Sequence, residues 1–81
     1  MKRITPIHFP GALDLTQREL TLLSILEKGG SNGEIADELE VTVHTVKYHL
    51  KNIYDKLGAK SRIQAIVFAQ RSGVLGTRMV D

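Results

Sequence analysis

Through the middle of the chain, apolar residues recur at spacings of three and four, the period of a helix that buries one face. Leu20, Leu23 and Leu26 form the first such set, with Leu22 and Ile25 beside them. Thr16 precedes it and Glu19 follows Thr16 by three residues. This is the capping-box pairing, in which each side chain accepts a hydrogen bond from the other residue's backbone N–H. The pattern predicts a first helix from about Thr16 to Lys28, stopped by Gly29 and Gly30. Ser31 and Glu34 repeat the pairing ahead of Ile35, Ala36 and Leu39, which give a short second helix its apolar face. Only Glu40, Val41 and Thr42 separate it from the next periodic segment. There Val43, Val46, Leu50, Ile53 and Leu57 draw one stripe along a third helix, with Thr42 as its N-cap and Gly58 as its stop. Ser61 with Gln64 makes a third capping box and opens a fourth helix to which Ile63, Ile66, Val67 and Val74 belong, with Gly73 as its stop. Every strong signal is helical and nothing reads as a strand, so the expected fold class is all-α: a compact four-helix domain with a central helix-turn-helix. That domain is expected over residues 15–76, with a tail over 77–81. Residues 1–14 hold both prolines, Pro6 and Pro10, followed by Gly11, and show no sustained period; they read as an arm or a linker.

Two helices joined by about three residues do not fold back as a simple hairpin. Such a turn holds them at roughly 90 to 120°, and the second helix is then free to enter a major groove. An isolated helix pair buries too little apolar surface to be stable, and the first helix supplies the cover. Placing residues 100° apart around the third helix sends His44, Lys47, Tyr48, Lys51, Asn52 and Asp55 to the side opposite the apolar stripe. Lys47 and Lys51, four apart, project side by side, suited to guanine O6 and N7 or to adjacent phosphates. Tyr48 lies between them, within reach of a thymine methyl or a phosphate. Thr42, Thr45 and the free N–H groups that open the second and third helices are short-range phosphate donors. Lys56, Lys60 and Arg62 extend the positive region beyond this face.

Taken in order, these residues resemble the LuxR-type helix-turn-helix DNA-binding domain, also called FixJ- or NarL-type, of bacterial transcription regulators. The resemblance runs from about Leu15 to Leu75. It is carried by Leu15-Thr16 with Arg18-Glu19, Gly30-Ser31-Asn32 with Glu34-Ile35-Ala36, Leu39, Thr45-Val46-Lys47 with His49, Ile53, Lys56-Leu57-Gly58, and Ser61-Arg62 with Ala65. It implies a domain whose third helix reads DNA and whose fourth helix pairs two subunits. On that pattern Lys47, Tyr48 and Lys51 face base edges. Asn32, Thr42, His44, Thr45, Lys56, Lys60 and Arg62 hold phosphates, and Ile63, Ile66 and Val67 form a dimer interface. The implied partners are double-stranded DNA with a palindromic operator and a second copy of the chain, with RNA polymerase a further candidate. The sequence departs from the pattern at Gly33, where a Lys or Arg is common, which removes one phosphate contact. It also has Glu40 in the tight turn, where a positive φ strains a non-glycine residue by roughly 1 to 2 kcal/mol.

Composition narrows the function further. With 81 residues only one core can be built, and the absence of cysteine removes disulfides and thiolate metal sites. No stretch is long and apolar enough to span a bilayer, and Met1 to Pro6 lacks the apolar run of a secretory signal, so a cytoplasmic protein is expected. Eleven Lys and Arg against nine Asp and Glu, with a pI near 9.2, permit a polyanionic partner without demanding one. His44 and His49 are five apart and point about 140° away from each other on a helix, so no metal is expected. His49 flanks the apolar stripe as a half-buried packing residue, Tyr54 borders the core, and His44 faces solvent or phosphate. Ser24, Ser31, Ser61 and Ser72 lack a nucleophile setting and no carboxylate pair suggests a cleft; neither an enzyme nor a cofactor is expected. Arg18-Glu19 reads as capping and surface electrostatics. Two alternatives stand beside the DNA-reading regulator. A domain like region four of sigma factors usually carries a more Arg- and Glu-rich turn and recognition helix than Thr45-Val46-Lys47-Tyr48-His49. An interaction-only chain would pair through its fourth helix and sequester a longer regulator, against which Lys47, Lys51, Thr42 and Thr45 argue. Ile63, Ile66 and Val67 also fit a role wholly inside the domain's own core.

Overall fold

A computed structural model describes residues 14–74. Four α-helices follow one another: α1 over Gln17–Glu27, α2 over Asn32–Leu39, α3 over Val43–Leu57 and α4 over Arg62–Ser72. Apart from Asp14, the expected arm and the tail lie outside the described residues. Among the described residues there is no strand, and no helix is long and apolar enough to cross a membrane.

The helix starts follow from local hydrogen bonds. At α1, Thr16 Oγ1 accepts from the Glu19 N–H at 3.1 Å while Glu19 Oε1 accepts from the Thr16 N–H at 2.9 Å. Ser31 and Glu34 do the same at α2, at 3.1 and 2.9 Å. The box expected at α4 differs. Ser61 Oγ accepts from the Gln64 N–H, but Gln64 Oε1 accepts from the N–H of Lys60, at 2.8 Å, and not from that of Ser61. Ser61 has φ −154°, against −76° at Thr16 and −80° at Ser31, and this rotation brings the Lys60 N–H into reach.

Leu22, Leu23 and Leu26 of α1, Ile35 and Ala36 of α2, and Val46, Leu50, Ile53 and Leu57 of α3 pack into one core. From α4 the core takes Ala65 and Ala69, both fully buried. Small residues on that face let α4 approach closely, and its larger apolar side chains sit elsewhere: Ile63 is 73% exposed, Val67 is exposed and Ile66 only partly buried. The reading of all three as core residues is therefore corrected for Ile63 and Val67. Val43 also departs from expectation, because it is exposed where the stripe placed it in the core. It lies 60° around the helix from Val46 and at the first helical residue, where the stripe runs off the end of the core.

The turn between α2 and α3 bends through Glu40, which sits at φ 58°, ψ 45° in the left-handed region, as the tight turn required. Two contacts hold it. The Val41 N–H donates to Ala36 O at 3.0 Å, and Arg18 of α1 donates from Nη1 to Leu39 O at 3.3 Å, satisfying a carbonyl that the end of α2 leaves open. Gly58, at φ 72°, closes α3, and the Ala59 N–H bonds back to Tyr54 O at 2.8 Å.

Candidate nucleic-acid interface

One edge of α1 fixes where α3 lies. Lys56, near the end of α3, donates from Nζ to Glu19 Oε1 at 2.8 Å and to the backbone oxygen of Asp14 at 3.1 Å. Glu19 is buried, 4% exposed, which corrects its reading as a surface group. Burial, the largest single influence, pushes its carboxyl toward neutrality. The hydrogen bond from Lys56, the Thr16 N–H, the Lys56 charge and the Thr16 hydroxyl together outweigh burial and hold Glu19 below the ordinary glutamate value.

With its inner stripe buried, α3 turns His44, Lys47, Tyr48 and Lys51 to the outside, all exposed. Among the described residues Lys47 forms no ion pair, and Lys51 meets only Asp55 on its own helix, at 3.4 Å with both side chains well exposed. Such a pair is worth about 0 to 1 kcal/mol and is readily exchanged for another anion. The Tyr48 ring meets His49 edge-on, centroids 5.7 Å apart, with His49 half-buried as expected. At the N-terminal tip, Thr42 Oγ1 accepts from the Thr45 N–H and donates to Thr45 Oγ1, both at 3.1 Å. α1 and α2 each carry a glutamate in the first turn, whereas α3 carries no acidic residue there. Lys60 joins Lys47 and Lys51 around a shallow hollow that Leu50, Tyr54 and Ala59 also line. The acidic side chains Glu34, Asp37, Glu38 and Glu40 are exposed on and just after α2. Apart from Asp55, which also lines that hollow, the exposed charge on α3 is positive, whereas that on and just after α2 is negative.

Of the residues expected at phosphates, the structure brings Thr42, His44 and Thr45 together at the tip of α3. Asn32 opens α2, where its side-chain oxygen accepts from Arg62, the first residue of α4; Arg62 also donates to Gly30 O at 3.4 Å. Arg62 and Lys56 are thereby engaged inside the fold, unlike Lys60. Sequence reasoning missed these ties and the bond from Arg18 to Leu39. The partners lie 21 to 42 residues apart and share no local pattern.

The family model described as bacterial regulatory proteins, luxR family, matches residues 13–69. The chain belongs to the luxR family of bacterial regulatory proteins. This family's domain is a helix-turn-helix DNA-binding unit of transcription regulators, and the expected fold and family hold. Among the relatives of this luxR-family domain is the transcriptional regulatory protein LnrK of Bacillus subtilis (strain 168), 44% identical over 75 residues, which are 91% of this chain and 34% of LnrK. The transcriptional regulatory protein LiaR of the same organism is 47% identical over 58 residues, 72% of this chain and 28% of LiaR. The HTH-type transcriptional regulator MalT of Yersinia pestis (strain Pestoides F) is 47% identical over 57 residues, 70% of this chain and 6% of MalT. The chain thus spans about a third or less of the length of these relatives.

Proposed function

We propose that this luxR-family domain binds double-stranded DNA sequence-specifically in a transcription regulator, with α3 in the major groove. Lys47, Tyr48 and Lys51 read base edges. Thr42, His44, Thr45, Lys60 and Asn32 hold phosphates. Lys56 and Arg62, engaged with Glu19 and with Asn32, serve chiefly to hold the helices that carry those contacts. The observation that carries the reading is the pair Lys47 and Lys51, one turn apart on the outer face of α3 and, among the described residues, in no ion pair with another helix. Exposed Ile63 and Val67, with half-buried Ile66, favour α4 as the surface that pairs two copies, which implies a palindromic operator with half-site centres about one helical turn, roughly 10 bp, apart.

The test begins with selection of preferred sequences from a random duplex pool, followed by titration of single-base variants of the winner at several salt concentrations. Lys47→Ala or Lys51→Ala is expected to lose about 1 to 3 kcal/mol of discrimination at particular base pairs, whereas Thr45→Ala weakens all sequences alike. A lysine that touches only phosphate would instead lower the salt slope by about one and leave the preferred sequence unchanged. Uniform weakening from both lysine substitutions refutes base reading.

A further inference from the structure

Val43 is the first residue of α3, directly after the Thr42 cap, and it is 40% exposed. It belongs neither to the core cluster nor to the partly buried apolar side chains packed against it. A lone exposed valine is ordinary on a protein surface. What sets this one apart is its surroundings. Val43 and Lys47 are one turn apart and lie 40° from each other around the helix, with Lys51 a further 40° on, so the three share one flank. The first turn around Val43 holds no carboxylate, although an acidic residue there would favour the helix. The threonine pair Thr42 and Thr45 supplies the cap instead. The tip of α3 therefore combines branched apolar methyls, hydroxyls and a neighbouring ammonium with no negative charge of its own. When a recognition helix docks in the major groove, its N-terminal residues are the ones that meet base edges.

We infer that Val43 is a specificity-determining residue that packs its methyl groups against the C5-methyl of a thymine beside the base pairs read by Lys47. The inference rests on the groove-reading function proposed above. Thymine is the one standard base that presents a methyl group in the major groove, so an apolar side chain separates T·A from C·G there without a hydrogen bond. Tyr48, about 140° around the helix from Val43 and carrying a hydroxyl, is less suited to this purely apolar contact.

The experiment uses the full chain and the sequence enriched from a random pool, with each thymine replaced in turn by deoxyuridine, which lacks only the methyl. At one thymine per half-site the unaltered chain is expected to lose about fourfold in affinity, the ratio that corresponds to burying one methyl group. Val43→Ala should bind the thymine duplex about fourfold more weakly and be indifferent to deoxyuridine at that position. Val43→Thr, with the same shape and one methyl retained, should keep part of the preference. An unchanged thermal melt of Val43→Ala would show that the loss is local. The inference is overturned if the thymine-to-deoxyuridine difference at every position is the same in the parent and in Val43→Ala. Failure of the parent to enrich any sequence would overturn the groove-reading function as well, a different result from enrichment with insensitivity at Val43.

Discussion

Replacing Glu19 with glutamine removes the one buried ionised side chain among the described residues while keeping an oxygen able to accept from the Thr16 N–H. Because Lys56 Nζ and the Thr16 N–H donate to the same Oε1, the change isolates the charge of the pair with Lys56, whose side chain is 29% exposed against 5% for that of Glu19. Breaking a fully buried pair costs about 3 to 5 kcal/mol and losing an exposed one about 0 to 1, so this half-sheltered pair should be worth about 2 kcal/mol. In a domain of this size that lowers the melting temperature by roughly 8 to 16 °C. Glu19→Ala also deletes the cap and should cost about 1 kcal/mol more. The pH dependence has a definite sign. The folded-state value of Glu19 lies below its unfolded value near 4.5, so its stabilisation is present above about pH 4.5 and is lost as pH falls through the folded value. The gap between the parent and Glu19→Gln should therefore close in acid. Urea denaturation of the parent, Glu19→Gln, Lys56→Met and the double variant at neutral pH and below pH 4.5 measures both effects. If the two single losses add to within about 0.3 to 0.5 kcal/mol at neutral pH, the pair is not coupled and the reasoning fails.

Glu40→Gly should stabilise the fold by about 1 kcal/mol in chemical denaturation, because Glu40 sits at φ 58° in a conformation that disfavours a side chain; an unchanged midpoint would show that the turn is not strained. Val67→Asp, at an exposed position of α4, should leave folding intact and yield a monomer that binds DNA weakly, as read by sedimentation and mobility shift. A parent chain that stays monomeric at high concentration and on DNA would dismiss α4 as a pairing surface.

The four helices were legible in the sequence because their determinants are local. A hydroxyl three residues ahead of an acceptor, an apolar repeat at the helical period and a stopping glycine all act within one or two turns. The left-handed turn at Glu40 was expected from the resemblance, in whose tight turn a positive φ is often needed. The outward positions of Lys47, Tyr48 and Lys51 followed from the stripe they oppose. Where that stripe ends was not legible: Val43 fits the period but lies past the packed core, and only the arrangement of α1 and α2 sets that limit. Nor did the pattern of α4 reveal that Ala65 and Ala69, and not the larger Ile63 and Val67, face inward, because helix packing selects the residues that permit close approach. The roles of the charged groups depended most on tertiary structure. Lys56, Arg62 and Arg18 look alike in sequence to the exposed lysines, yet each is bound to an acceptor 21 to 42 residues away. Backbone period fixes the direction in which a long cation starts out, but where its charge comes to rest is decided by the acceptors that folding brings within its reach.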